Sequence, residues 1–295
     1  MRREHHVRSG DVELFVVEEG EEGRTPVLLL HGFPDDHRVF DRVVESLRTE
    51  CHVVTFDMRG VGRSSAPGKR SSYRLDNLVH DVTAVIDAIF GPRASVHLVG
   101  HDWGSVLGFS YVAEGGGAPR VRSFTSVSGP HVRLMWAASL RLAPRAALRQ
   151  LLASWYVFAF LVPRLPELLF SASVYRRALS RAGVPADDPY LDVTDAEVSS
   201  RTRHAIELYR QNALRPPPLP ARGSIRVPLL LVLPELDPFV RPETLSFLGQ
   251  YVPNLEAIRL AASHWVPRSH PGELAAAVLA HTRRIDGVAT TEARA

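Results

Sequence analysis

The segment VHLVGHDWGSVLGFSYVA, residues 96–113, joins a short apolar strand pattern to an apolar helix pattern through a tight turn. Gly100 and Gly104 stand two residues before and two residues after Asp102 in this turn. Small residues at these positions relieve crowding, so that one reactive side chain projects from the edge of a sheet. An aspartate between glycines is also a common turn former. Placed between a strand and a helix, however, Asp102 is predicted to be a nucleophile.

Short strand patterns alternate with helix patterns on both sides of this turn, which predicts an α/β fold with a mostly parallel sheet. The segment VELFVVEE alternates between apolar and polar residues like an edge strand. Residues 75–89 have apolar side chains at helical spacing and are predicted to form a crossover helix. A last helix is predicted over about 271–284. The predicted strands are residues 12–19, 27–30, 52–56, 96–99, 124–128, 227–233 and 255–260.

Helix patterns replace strand patterns in the middle of the chain, at 134–152, 155–170 and 196–212. They predict a helical cap, or lid, inserted into one sheet-forming domain. We therefore divide the chain into a first core part at 1–130, the cap at 131–222 and a second core part at 223–287. A tail at 288–295 is predicted to be disordered.

Composition excludes several classes of protein. The net charge is only +3 and no dense basic block occurs, so nucleic-acid binding is not expected. The single cysteine, Cys51, allows neither an intrachain disulfide nor a Cys-rich zinc site, and a cytoplasmic location is predicted. The longest apolar stretch, residues 151–162, is too short for a membrane span. No cofactor or metal is expected, and His5 and His6 are predicted to lie in a flexible terminus.

Three further segments place polar residues directly after predicted strands. HGFPDD, residues 31–36, follows the second strand, and its His31 side chain is expected to be structural. Asp237 in PELDPF and His264 in AASHWVP follow the last two strands. The chain order Asp102, Asp237, His264 is the nucleophile, acid and base order of hydrolases built on a parallel sheet. Glu235 is the alternative acid and His270 the alternative histidine.

These turns and their order resemble the α/β-hydrolase family and, within it, the epoxide hydrolases and haloalkane dehalogenases, which use an aspartate nucleophile. The resemblance covers about residues 11–285 and implies an α/β-hydrolase fold with a helical cap. It also implies that the backbone N–H groups of Phe33 and Trp103 form an oxyanion hole. Ser105 and Ser263 stand where glycine is common in the family, but both residues are small.

An aspartate nucleophile suits a saturated carbon electrophile, because a carboxylate is already ionised at pH 7 and attacks to form an ester. His264, held in its tautomer by Asp237, is then available to activate the water that hydrolyses the ester. Epoxide hydrolases add two lid tyrosines that protonate the opening ring. SWYVFAFLVPRLPE and LYRQN resemble these two segments and point to Tyr156 and Tyr209. Tyr175 and Tyr190 are the other lid candidates.

The sequence leaves two other functions open. A haloalkane dehalogenase would use Trp103, and Trp155 could supply a second indole N–H, but Phe33 stands where that class usually has asparagine. A hydrolase-like binding protein with a vestigial site is the alternative outside enzymes. The favoured function is therefore an epoxide hydrolase that takes water and a small apolar epoxide, with a pocket lined by Phe33, Trp103, Trp155 and Trp265. The apolar lid helices could also pair with a second copy as a homodimer.

Overall fold

Eight strands join into one sheet in the computed structural model, which describes residues 2–113, 116–139, 144–166, 170–245 and 247–292. The order across the sheet is β1-β2-β4-β3-β5-β6-β7-β8. Only the β1–β2 and β2–β4 pairs are antiparallel, so the predicted mostly parallel α/β architecture is confirmed. The strands are β1 Arg2–Ser9, β2 Val12–Glu19, β3 Thr25–Leu30, β4 Cys51–Phe56, β5 Val96–His101, β6 Val121–Val127, β7 Leu229–Pro234 and β8 Leu255–Leu260.

Helices cover both faces of the sheet and bury an apolar layer on each side. Side chains of α2 and α3, such as Val82 and Leu107, belong to one buried cluster. Side chains of α1 and α10, such as Leu47 and Val278, belong to the other. Each such side chain stabilises the fold by roughly 1.5–3 kcal/mol through its removal from water. The helices are α1 Asp41–Leu47, α2 Leu75–Ile89, α3 Trp103–Ala113, α4 Val132–Ser139, α5 Pro144–Ala153, α6 Trp155–Leu161, α7 Ala172–Arg181, α8 Asp195–Asn212, α9 Val266–Ser269 and α10 Pro271–Glu292.

The N-terminal segment corrects one prediction. Residues expected to be flexible form strand β1, which pairs along its whole length with β2. His5 contacts Glu18 and His6 contacts Glu13 across this pair. The edge of the sheet is therefore β1, and β2 lies inside it between β1 and β4. The sequence of β1 is mostly polar and exposed, which is why it gave no apolar strand signal.

The helices of the middle segment are shorter than predicted, and the last helix is longer. The predicted helix at 134–152 falls on α4, which is described up to Ser139, and on α5, which is described from Pro144; residues 140–143 lie outside the described ranges. The helix predicted to reach residue 170 ends at Leu161, ahead of Pro163. The last helix continues to Glu292, so the predicted disordered tail is helical up to that residue; residues 293–295 lie outside the described ranges.

The topology brings three loops to one edge of the sheet. Strands β5, β7 and β8 run parallel, and the loops after them carry Asp102, Asp237 and His264. Carboxyl ends of parallel strands form the usual ligand-binding edge of such folds. Helices α4 to α8 connect β6 to β7. None of the helices within the described ranges combines the length and the apolar character that crossing a membrane requires.

Candidate active site

The turn between β5 and α3 holds Asp102 in a backbone conformation that is unusual for a residue with a side chain. Its φ angle is 52°, in the left-handed region. The Asp102 N–H donates to the carbonyl of Val127 at 3.0 Å, which ties the turn to the next strand. A Cβ atom on Gly104 would meet the carbonyl oxygen of Leu30, and one on Gly32 would lie 2.5 Å from the Asp102 side chain. The sharp turn therefore requires the small residues that the sequence shows.

The three residues predicted to form a triad are brought together. His264 Nδ1 lies 2.9 Å from Asp237 Oδ2, and His264 Nε2 lies 3.6 Å from Asp102 Oδ2. Asp237 is oriented by its own loop, because its Oδ1 accepts hydrogen bonds from the N–H groups of Phe239 and Val240 at 2.8 and 3.1 Å. His264 and Asp237 are both buried. The imidazole thus stands between two carboxylates, one on each ring nitrogen.

The charges of this trio shift its pKa values. Burial opposes the charge on His264, but Asp237 and Asp102 outweigh it and raise the pKa of His264 to about 10. Burial also opposes ionisation of Asp237, yet the charge and hydrogen bond of His264 lower the pKa of this carboxyl. At pH 7 His264 is therefore an imidazolium, with the Asp237 carboxylate at Nδ1 and the Asp102 side chain on the Nε2 side.

The loop that carries His264 is fixed at its backbone. His101 Nε2 lies 2.9 Å from the His264 carbonyl oxygen, and the Ser128 hydroxyl donates to the same oxygen at 3.3 Å. Burial lowers the pKa of His101 to about 4, and the nearby His264 adds to the effect. A neutral His101 donates this hydrogen bond through Nε2, and its Nδ1 has no hydrogen-bond partner among the described residues.

One backbone N–H group contacts the Asp102 side chain, and a second lies at the start of the helix that follows Asp102. The N–H of Phe33 donates to Asp102 Oδ1 at 2.7 Å. Trp103 is the first residue of α3, so its N–H is one of the four that have no partner inside the helix. The role of these two N–H groups as an oxyanion hole stays a prediction.

Tyr156 and Tyr209 extend from the cap helices α6 and α8 towards Asp102. Their ring centroids are 6.0 Å apart, and Tyr209 packs edge-on against Trp103 at 4.9 Å. Burial raises the pKa of both phenols, and the negative charge of Asp102 raises it further. Both phenols are therefore protonated at pH 7 and able to donate a proton or a hydrogen bond.

Two apolar cavities meet at these residues. The first, of about 310 Å³, is lined by Phe33, Trp155 and Trp265 among others. The second, of about 270 Å³, is lined by Trp103 among others and lies on the side of α4 and α5. The residues that line both cavities are Asp102, Tyr156, Tyr209 and Phe239.

The alternative acid and the alternative histidine of the sequence analysis have partners outside the trio. Glu235 forms an exposed ion pair with Arg259 at 3.2 Å, so Asp237 and not Glu235 is the partner of His264. His270 contacts the hydroxyl of Ser269 instead of the trio.

The sequence reasoning missed Asp35, which is completely buried behind the first cavity. Its carboxylate accepts hydrogen bonds from the hydroxyls of Tyr175 and Tyr190 at 2.7 and 2.9 Å. It also accepts one from the indole N–H of Trp265 at 3.0 Å. Tyr175 and Tyr190 therefore tie the cap to the core through Asp35, and Tyr175 also lines the first cavity. The signal in the sequence was the carboxylate in HGFPDD, one residue after the proline.

One group of side chains within the described residues has the composition of a metal site. Ligand atoms of Asp36, His37 and Asp57 lie within 4.8 Å of one another. These atoms, however, already form hydrogen bonds and ion pairs with one another and with nearby arginines. His37 Nδ1 lies 2.7 Å from Asp57 Oδ1, and Asp36 pairs with Arg38 and Arg201. The group is therefore explained as a buried charge network.

Comparison with known proteins places the chain in a family. The model of the α/β-hydrolase fold family matches residues 25–271, so the chain belongs to that family. The predicted α/β-hydrolase fold is thereby confirmed, and so is the resemblance to epoxide hydrolases, through the relatives described next.

Probable oxidoreductase EphD of Mycobacterium tuberculosis is 36% identical over 280 residues, which cover 90% of this chain and 47% of that protein. The chain thus spans about half the length of the mycobacterial relatives it matches. Human epoxide hydrolase 4 is 27% identical over 283 residues, covering 90% of this chain and 74% of that protein. The crystal structure of an epoxide hydrolase from Bacillus megaterium with an inhibitor has a TM-score of 0.78 at 26% identity, covering 95% of this chain and 100% of that one.

Proposed function

We propose that the protein is an epoxide hydrolase that opens an apolar epoxide to a vicinal diol. The observation that carries the proposal is the position of two protonated phenols, Tyr156 and Tyr209, beside Asp102 where the two cavities meet. The Asp102–His264–Asp237 arrangement supplies the remaining groups. Relatives and a solved structure named as epoxide hydrolases support the same function. The mycobacterial relative is a protein of which this chain spans about half, so its oxidoreductase designation assigns nothing to this site.

In the first half-reaction the Asp102 carboxylate attacks a ring carbon of the epoxide, and the carbon–oxygen bond of the ring breaks. The oxygen that leaves would be an alkoxide, which is a poor leaving group in a dry cavity. Tyr156 or Tyr209 donates its proton to that oxygen as the bond breaks. The products are an alkyl ester on Asp102, a hydroxyl group on the substrate and a tyrosinate.

In the second half-reaction His264 changes its role from cation to base. Formation of the ester removes the negative charge of Asp102, which is one of the groups that raise the pKa of His264. The imidazolium then releases its extra proton, and the tyrosinate is the acceptor that balances this step. Neutral His264 next takes a proton from water as the water attacks the ester carbonyl carbon.

The tetrahedral intermediate places negative charge where the backbone N–H groups of Phe33 and Trp103 can bind it. Its collapse breaks the bond between the Asp102 carboxyl carbon and the ester oxygen that Asp102 placed on the substrate. This oxygen takes the proton from His264 and leaves as one of the two hydroxyl groups of the diol. The Asp102 carboxyl group then loses its proton to His264, and the resting ion pair is restored.

The shape of the site suggests the form of the substrate. Since both cavities are apolar and meet at Asp102 and the two tyrosines, an epoxide with apolar groups on both ring carbons would fill them. We therefore expect disubstituted apolar epoxides to be better substrates than terminal ones of the same size.

The experiment is a panel of paired terminal and disubstituted epoxides together with chloroalkanes and bromoalkanes, assayed for diol and for halide. The Tyr156→Phe/Tyr209→Phe variant should lose about 10²–10⁴ in the rate of ring opening. Tyr111→Phe is the matched control, because this buried tyrosine contacts Thr83 and lines neither cavity. Halide release that is unaffected by the double variant would establish a dehalogenase instead. No turnover of any member of the panel would favour the binding-protein alternative.

A further inference from the structure

Exposed apolar side chains concentrate on one surface of the cap. Of the twelve large apolar residues that are exposed in the described part of the chain, nine lie between residues 136 and 174. Leu152 and Trp155 are 64% and 67% exposed. We call the seven of these residues that lie between positions 148 and 165 the cap face. Its residues are Leu148, Leu151, Leu152, Trp155, Phe158, Val162 and Leu165.

The apolar residues of the cap face have the spacing of a helix stripe that should be buried. Leu148, Leu151 and Leu152 occupy positions i, i+3 and i+4 on α5, and Trp155 begins α6 at position i+7. A surface helix normally turns such a stripe towards the core. Here the stripe points away from the core, and contiguous exposed apolar surface of this kind marks an interaction site.

The charge of the same segment is one-sided. Residues 131–166 contain five arginines and no aspartate or glutamate, whereas the rest of the chain carries 30 basic and 32 acidic residues. Arg133, Arg145, Arg149 and Arg164 are all exposed. Within the described ranges no salt bridge engages any of these four arginines. Their charge is therefore available to an external anion.

Both cavities reach the surface through the cap face and its border. Exposed Trp155 and Leu165 line the first cavity, and exposed Leu151, Phe158 and Trp136 line the second. A molecule that entered either cavity would pass between apolar side chains that are open to the outside. The surroundings of this entrance are apolar and cationic at the same time.

We propose that the cap face docks on the surface of a membrane that contains anionic phospholipid. Apolar side chains with tryptophan on one face and arginines beside them are what an interfacial helix uses to enter the headgroup region of a bilayer. Arginines near an anionic leaflet add an attraction that depends on lipid charge. A second copy of the chain fits less well, since it would oppose two surfaces of the same positive charge.

Binding to vesicles tests the proposal without using catalysis, so it is independent of the proposed function. The 295-residue chain is sedimented with vesicles of phosphatidylcholine and phosphatidylglycerol in equal parts, and with phosphatidylcholine alone. We expect at least tenfold stronger partitioning to the anionic vesicles, and a decline of this difference as salt is added.

Variants separate the contribution of the apolar side chains to membrane binding from that of the arginine charges. Leu148→Gln/Leu152→Gln should reduce binding to the anionic vesicles at least tenfold, because both side chains are exposed and line neither cavity. Arg145→Gln/Arg149→Gln should reduce it about 25-fold, from roughly fivefold for each charge. Arg93→Gln/Arg226→Gln makes the same change in net charge at the opposite edge of the sheet and should bind like the wild type.

Unchanged thermal unfolding would show that the variants are folded. Equal binding of the wild-type chain to neutral and anionic vesicles would overturn the proposal, and so would an equal loss in the Arg93/Arg226 control. It would also be overturned if no vesicle bound and light scattering showed a dimer that Leu148→Gln/Leu152→Gln dissociates. That result would make the cap face a contact between two copies.

Discussion

Replacing Asp237 with asparagine should stop the proposed reaction halfway. In the structure, Oδ1 of Asp237 accepts two backbone N–H groups, while Oδ2 faces His264 Nδ1 at 2.9 Å. The single side-chain oxygen of asparagine must accept the hydrogen bonds from the two backbone N–H groups. The side-chain NH₂ group of the asparagine therefore faces His264 Nδ1. The imidazole then carries its proton on Nε2, the nitrogen that faces Asp102 and should accept the proton of water.

Ester hydrolysis should therefore slow by about 10³–10⁴, equivalent to about 4–5.5 kcal/mol of activation free energy, the order found when a triad carboxylate becomes an amide. Formation of the ester needs no neutral His264 and should continue, so that a quenched reaction shows the ester mass accumulating on the protein. Glu235→Gln is the matched control in the same loop, where an exposed ion pair with Arg259 is lost and the rate should stay within about twofold. An Asp237→Asn protein that hydrolyses its ester at the wild-type rate would show that Asp237 does not set the tautomer of His264.

Three further predictions concern stability. Gly104→Ala should lower the free energy of urea unfolding by about 3 kcal/mol, because the added Cβ meets the Leu30 carbonyl oxygen. The control Gly272→Ala adds its Cβ to open space and should be neutral or slightly stabilising. Equal effects of the two variants would contradict the close contact at the turn. His264, with a pKa raised from 6.5 to about 10, contributes stability that is complete below pH 6.5 and disappears as the pH rises through 10. The difference in unfolding free energy between the wild type and His264→Gln should therefore narrow from pH 6.5 to 10, and a constant difference would argue against the ion pair. Asp35→Asn should lower the free energy of thermal unfolding by about 2 kcal/mol, because the hydroxyls of Tyr175 and Tyr190 and the indole N–H of Trp265 then compete for one oxygen. Tyr190→Phe removes only one of these donors and should cost less. A smaller loss for Asp35→Asn than for Tyr190→Phe would be inconsistent with these hydrogen bonds.

The sequence was sufficient for seven of the eight strands and for placing Asp102, Asp237 and His264 after three of them. Strand and helix signals of this type are local, and the turn around Asp102 carries its own requirement for small neighbours. Helix α2 matches its predicted bounds for the same reason, since its apolar spacing and its packing face agree. Strand β1 was missed because its polar residues are held by pairing with β2 and not by burial.

The cap was harder to predict because its structure depends on contacts with the core. Tyr156 and Tyr209 were identified only through their resemblance to family segments, and no spacing in the sequence indicates that they share a cavity with Asp102. The partners of Asp35 are separated from it by 140 to 230 residues. A buried carboxylate of this kind becomes interpretable only when the hydroxyls and the indole that it binds are seen together.

The proposed reaction requires that Asp102 forms an ester with the substrate and that water attacks the carbonyl carbon of that ester. A single turnover in water enriched in heavy oxygen, with enzyme in excess over epoxide, tests it directly. We expect the heavy atom to appear in the Asp102 carboxylate, detected as a mass shift of the peptide that contains residue 102, and the first diol released to be unlabelled. Heavy oxygen in the diol, with an unchanged peptide, would contradict it.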